Sequence, residues 1–336
     1  MDKANRSRIW CRDESGSDLK GTNKTKRTNN MSALTLDTTP TILAVGAAGH
    51  FASLVVPELA KRGAKVRGLI RHAEQSYQVI KNGAAEVAIG DITDRASLDA
   101  ALKGVDSVFY ISPAAMPNEV EVSKSVVNAA KEAGVRRFVF SSLIHPIIGA
   151  MVHHIDKAPI EEAILASDME FTFLHPAMFF QNVTAAQLAD IAKGAVFPQP
   201  WSIETRFSRV DYRDVAEVAA IALMEDRLNY GTFELSAEGH LTGKDVAALM
   251  GEVLGKKIEA VKVNPEKPAD LSKDTGDKKQ TSPMQSMFDW YDHHGLVGNS
   301  LILRAILDRE PRTLRAYFEE LAAKPAQIAS AALSNG

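Results

Sequence analysis

The chain has 336 residues, 45% of them hydrophobic and 24% charged, with a formal net charge of −3. That balance belongs to a globular protein and gives no electrostatic basis for contact with nucleic acid or an acidic membrane. Cys11 is alone, no Cys/His cluster has zinc spacing, and no apolar run approaches the ~20 residues that cross a bilayer, so neither an internal disulfide nor a metal nor a membrane span is expected, and the cytoplasm suits the chain.

The first 40 residues carry Arg6, Arg8, Arg12, Lys20, Lys24, Lys26 and Arg27 among many Asn, Ser and Thr, without the apolar core of a signal peptide. Asp2, Asp13, Glu14 and Asp18 count against a transit peptide. Residues 1–40 read either as a disordered tail or as sequence ahead of a start at Met31.

From Thr41 the pattern changes. Thr41 to Val45 is a short apolar run stopped by Gly46, which reads as a buried strand. Phe51 to Arg62 has helical spacing and ends at Gly63. Strands follow over Lys65 to Ile70, Ala85 to Ile89, Ser107 to Ile111, Arg137 to Ser141 and Phe171 to Leu174. Between them lie helices over Glu74 to Asn82, Arg95 to Leu102, Val120 to Ala133 and Ile155 to Ala166. Strict alternation with helix-length crossovers requires a parallel sheet covered on both faces. The fold class is therefore α/β: a Rossmann doubly wound sheet over 41–176, followed by a smaller substrate-side region over 177–336 packed closely on it.

Beyond residue 177 the alternation weakens. Phe197 to Trp201 reads as a loop, Asp214 to Met224 and Lys244 to Leu254 as helices, and Thr232 to Leu235 as a strand. Residues 264–283, rich in Pro, Lys and Asp, read as a mobile loop, and a helical end carries Phe288, Trp290 and Tyr291.

The chemistry centres on Gly46-Ala-Ala-Gly49, a turn between a strand and a helix. Backbone N–H groups at such a helix start, aided by the helix dipole, suit a pyrophosphate. The spacing Gly-x-x-Gly-x-x-Ala differs from the Gly-x-Gly-x-x-Gly of many dehydrogenases, and by itself fits an ordinary tight turn equally well. The end of the second strand adds context. An acidic residue there would bond a ribose 2′-hydroxyl; Arg71 stands there instead, and its guanidinium can pair with a 2′-phosphate. NADP(H) is thus expected over NAD, unless Arg71 is simply a solvated charge. Asp91 either accepts from the adenine amine or caps the next helix with Thr93 and Asp94. With Gly46, Ala48, Gly49, His50 and Phe51, the candidate cofactor shell takes in Arg71, Asp91, Ile92, Ser112, Lys157, Pro176 and Phe179.

These residues resemble the NmrA-like family, atypical members of the short-chain dehydrogenase/reductase superfamily. The resemblance rests on Gly46-x-x-Gly49, Arg71, Gly90-Asp91-Ile-Thr-Asp94, Val139-Phe-Ser-Ser142, Lys157-x-x-Ile160-Glu161, Phe171-Thr-Phe-Leu-His-Pro176, Asp211-x-x-Asp214-Val-Ala216 and Leu241-Thr-Gly-Lys-Asp-Val246, and runs from about Thr41 to Phe318. It implies a Rossmann sheet with a small C-terminal substrate region. It also implies either a reductase of quinones, phenylpropanoids or other small carbonyl and unsaturated compounds, or a cofactor-binding regulator that acts through a protein partner.

The superfamily's catalytic pair is Tyr-x-x-x-Lys. Here Lys157 is present, but His153 stands where the tyrosine would be. Histidine is a competent proton donor near neutral pH; alternatively Lys157 works alone, as lysine does in the phenylpropanoid reductases the chain resembles. Ser142, at the end of the fifth strand, either holds a substrate oxygen or satisfies backbone groups. Met178, Phe179, Phe180, Trp201 and Phe288 are candidates for an apolar pocket that takes a flat small molecule. The expected function is an NADPH-dependent oxidoreductase passing hydride to a small quinone, enone or carbonyl compound. The alternative is a non-catalytic NADP(H) sensor with a protein partner.

Overall fold

The computed structural model describes residues 39–113, 116–264 and 283–323. The expectations for the tail and for the loop over 265–282 lie outside them. The chain enters the sheet at β1 (Thr41–Val45), which is wholly buried. Ile42 and Ala44 face one helical layer while Leu43 and Val45 face the other, the period-two consequence of a strand covered on both sides. The succession continues with α1 (Ala52–Lys61), β2 (Lys65–Ile70), α2 (Ser76–Lys81), β3 (Glu86–Ile89), α3 (Arg95–Leu102), β4 (Ser107–Ile111), α4 (Glu119–Glu132), β5 (Arg137–Ser141), α5 (Val152–Ile155), α6 (Lys157–Leu165) and β6 (Glu170–Pro176). Then come β7 (Met178–Phe179), α7 (Ala185–Gly194), β8 (Val196–Gln199), β9 (Arg209–Val210), α8 (Tyr212–Met224), β10 (Gly231–Leu235), α9 (Gly243–Leu254), β11 (Glu259–Lys262), α10 (Pro283–His294) and α11 (Leu301–Leu307), with a last helix over 314–323.

The main sheet has seven parallel strands in the order β10-β6-β5-β4-β1-β2-β3, so the doubly wound Rossmann reading holds. One face is covered by α3, α4 and α6 and the other by α1 and α8. Val55, Val56 and Leu59 of α1 are fully buried, each contributing about 1.5–3 kcal/mol by leaving water. Opposite them α8 presents Ala216, Ala219 and Ala220, small enough for the two helices to approach closely. At the start of β5 the buried Arg137 donates to Glu170 at 2.8 Å and to the carbonyls of Ala222 and Glu225 at 3.0 and 2.8 Å, closing the C-terminal end of α8 onto the sheet. No helix among the described residues is long and apolar enough to cross a membrane.

Several boundaries differ from the sequence reading. The segment read as a loop over Phe197 to Trp201 begins as strand β8, paired in parallel with β11. Pro198 disguises it: a strand with an unpaired side tolerates a residue that lacks N–H, as a central strand does not. The single helix expected from Ile155 is two, α5 and α6, meeting at Asp156. The strand expected over Phe171 to Leu174 runs on to Pro176, and β10, from the segment after 177, joins the main sheet beside it.

Candidate functional site

In this strand order the chain winds outward in opposite directions from β1 and β4. A crevice therefore opens beyond their carboxyl ends, which is where open α/β sheets bind ligands. Nearly every residue singled out from the sequence sits on that edge.

The turn after β1 closes with Gly49 N–H donating to the Gly46 carbonyl at 2.7 Å. Gly46 has φ +70°, a conformation that favours glycine. A Cβ on Gly49 would lie 3.0 Å from the Gly46 oxygen, so the second glycine keeps the turn tight and its outer face open. The helix it opens has no side-chain cap and no acidic residue in its first turn. In its first turn Ser53 N–H donates to the Gly49 carbonyl at 3.1 Å and Leu54 N–H to the Phe51 carbonyl at 3.0 Å, so the positive dipole end and the remaining N–H groups of the turn are what meet an external anion, and the turn fits a pyrophosphate. Ala48 is half-buried, and His50 is exposed and meets Phe51 edge-on at 4.8 Å between ring centres.

Arg71, just past β2, is exposed and makes no hydrogen bond or ion pair with the described residues. Asp91 accepts from the Thr93 backbone N–H at 2.8 Å and its hydroxyl at 2.7 Å; these bonds hold its carboxyl below the usual range, with the charges of Arg71 and His72 adding to the effect. Helix capping falls to Asp94, which accepts from Ala96 N–H at 3.1 Å. Ile92 is half-buried against the α3 and α4 side of the core.

Lys157 is buried beside two groups from the β4 side of the crevice. Its Nζ donates to Ser112 Oγ at 2.7 Å and ion-pairs with Glu119, while Ser112 donates to the same Glu119 oxygen at 2.6 Å. Sequence reasoning named Ser112 and Lys157 but missed Glu119. The sequence reading began the helix after β4 at Val120, one residue beyond it, and its partner lies 38 residues away in the chain.

His153 is half-buried near this group. Burial first, and the Lys157 charge second, lower its pKa from 6.5, which favours the neutral imidazole and weakens the case for it as an acid. His154 is 1% exposed and donates from Nδ1 to the His145 carbonyl at 3.0 Å. Burial lowers its pKa to about 4. An unfolded chain takes up that proton as pH falls below 6.5, whereas the folded chain does not until about 4. The associated stability is complete above pH 6.5 and is lost across this window, by about 3 kcal/mol. Urea denaturation at pH 7 and pH 4.5 is expected to show the loss, and His154→Gln to shrink it; an equal loss in the variant would refute His154 as the source.

Ser142 donates to Glu161 at 2.6 Å, and His175 Nε2 donates to the same carboxylate oxygen at 2.9 Å. This order, with the carboxylate in the middle, ties β5, α6 and β6 together; it is not the arrangement of an activated serine, in which the histidine would stand between. Phe51 and Phe179 pack at 4.5 Å between centroids, and both rest on Tyr212, at 4.8 and 4.9 Å. Tyr212 in turn donates to Ser141 at 3.0 Å. The buried Pro176 ends β6 beside this cluster, its carbonyl accepting from Ile144. Of the apolar pocket candidates, Met178 and Trp201 line a cavity of about 420 Å³, Phe180 lines a second of about 320 Å³, and Phe288 packs on Trp201 at 6.0 Å.

Residues 38–321 match the model of the NmrA-like family. The NAD(P)H azoreductase of Xenophilus azovorans is 31% identical over 224 residues, a stretch covering 66% of this chain and 77% of that protein. Two solved structures share the fold, each at 21% identity. The NADPH-dependent quinone oxidoreductase of Escherichia coli complexed with NADPH has a TM-score of 0.71, covering 84% of this chain and 99% of its own. The Citrobacter sp. triphenylmethane reductase complexed with NADP(H) has a TM-score of 0.72, covering 83% and 99%. By the match over 38–321, the chain belongs to the NmrA-like family.

Proposed function

We propose that the protein is an NADPH-dependent oxidoreductase acting on a small quinone, enone or carbonyl compound. The observation that carries the reading is the start of α1, without a side-chain cap, behind Gly46 and Gly49, with an Arg71 that pairs with none of the described residues and a buried Lys157 on the same sheet edge. The names of the azoreductase, the quinone oxidoreductase and the triphenylmethane reductase support the reaction class.

In this reading the backbone from Gly46 through Ala48, Gly49, His50 and Phe51 holds the pyrophosphate, and Arg71 pairs with the 2′-phosphate. Asp91 keeps acceptor capacity beyond its Thr93 bonds for the adenine amine, with Ile92 beside it. The nicotinamide, when bound, supplies the hydride. Lys157, steadied by Glu119 and Ser112, orients the ribose and offers a proton at Nζ. Ser142, through Glu161 and His175, is a positioning residue that holds the β5 and β6 ends which wall the site. Pro176 and Phe179 close its apolar side and exclude water.

Fluorescence titration with NADPH and NADH, followed by oxidation assays on a quinone and aldehyde panel, tests this. NADPH is expected to bind at least about tenfold more tightly than NADH and to be oxidised by at least one quinone. Binding without turnover on the whole panel would replace the enzyme with a nucleotide sensor; binding of neither nucleotide would end both readings.

A further inference from the structure

Arg209, on β9, belongs to no motif, and the nucleotide site does not use it. It is 8% exposed. Its Nη1 meets the thioether of Met178 at 2.9 Å, its Nε has no hydrogen-bond partner among the described residues, and its guanidinium carbon lies 5.9 Å from the centre of the Phe207 ring. Sulfur is a weak acceptor and an aromatic face a partial counter-charge. Burial lowers its pKa to about 10, which leaves it protonated at neutral pH. A buried cation so poorly matched is costly to a fold, and such groups concentrate where ligands bind.

Arg209 lines both cavities. Every other charged side chain lining either one already has an ion-pair partner: Asp190 has Lys193, Glu238 and Glu310 share Arg304, Arg312 has Asp214 and Arg315 has Glu252. Among the described residues, Arg209 alone of this set lacks a partner of opposite charge. The larger cavity, of about 420 Å³, contains no second cation, has apolar walls at Phe197, Met178 and Trp201, and carries amides at Asn182 and Gln187. The pairing of Met178 with Arg209 places the guanidinium beside the chain that leaves β6 at Pro176, on the crevice edge of the sheet.

We infer that the larger cavity takes the substrate by an anionic group, a carboxylate, sulfonate or phosphate on an aromatic frame, with Arg209 as its counter-charge and Trp201, Phe197 and Met178 as walls. The ligand's status as substrate rests on the reductase reading; the anion site itself does not.

Calorimetric titration of the full chain with naphthalene-2-sulfonate and, separately, with 2-naphthol tests the inference without requiring turnover. The sulfonate is expected to bind at least about tenfold more tightly than the neutral compound. Arg209→Met, which keeps the volume and removes the charge, is expected to erase that preference and to raise the ligand-free Tm. Equal affinity for the two compounds in the unmodified protein overturns the inference, as does a preference that survives in the variant. A lowered Tm in Arg209→Met would make Arg209 a structural group and also overturn it. An Arg209-dependent sulfonate site in a protein that reduces no quinone would defeat the reductase reading alone. Quinone reduction without sulfonate preference would defeat the anion site alone.

Discussion

Lys157→Met is expected to lower kcat/KM for NADPH-dependent quinone reduction by about a hundredfold to ten-thousandfold, the range of a lost proton-transfer group. The same change leaves Glu119, 7% exposed, without its cation. Breaking a buried pair from one side costs about 3–5 kcal/mol of stability. Activity loss in the single variant therefore mixes two effects. Lys157→Met combined with Glu119→Gln separates them, because the amide can still accept from Ser112 and carries no uncompensated charge. Denaturant unfolding is expected to show most of the stability restored in the double variant, while steady-state kinetics stay at the level of the single one. Recovery of activity along with stability would show that Lys157 acts only through the fold.

Arg71→Glu is expected to weaken NADPH binding by about a hundredfold and to strengthen NADH binding, inverting the preference. Charge-assisted hydrogen bonds contribute about 1.5–3 kcal/mol each, so the loss of one or two of them to the 2′-phosphate accounts for that size. The new carboxylate repels the phosphate, as does Asp91, whose carboxyl already feels the Arg71 charge. It also accepts from the 2′-hydroxyl that NADH carries. Arg71→Ala is the control: it should lose NADPH affinity without gaining NADH. Fluorescence titration of all three proteins reads the result. Because Arg71 is exposed and pairs with none of the described residues, unfolding does not complicate it. An NADPH affinity changed less than about threefold would place the 2′-phosphate elsewhere.

The parts of the site legible in the chain are those made by neighbours in sequence. The run Thr41 to Val45, the two glycines after it and the uncapped helix start form one local unit, and backbone sterics dictate its shape. Arg71 was legible for the same reason, since position at the end of a strand is a matter of counting. His153 in the place of a tyrosine was also visible, but its meaning was not. Only burial and the nearby Lys157 charge, both tertiary, show that its pKa falls. Glu119 and Tyr212 escaped notice, and Glu161 was named in a motif without its partners, because each works through a group on another element.

The amino-acid sequence by itself determined the alternation of buried strands and amphipathic helices, and with it the parallel sheet and the crevice at its carboxyl edge. Short-range sterics and the burial period act within a few residues, so they are written locally. Tertiary structure alone decided that β10 crosses back to join β6, that Pro198 lies in a strand, and that Ser142 shares Glu161 with His175. It also decided that Arg209 is buried without a counter-charge. Hydrogen bonds and ion pairs act over a few ångströms of space whatever the distance along the chain, and only the folded packing sets which groups come that close.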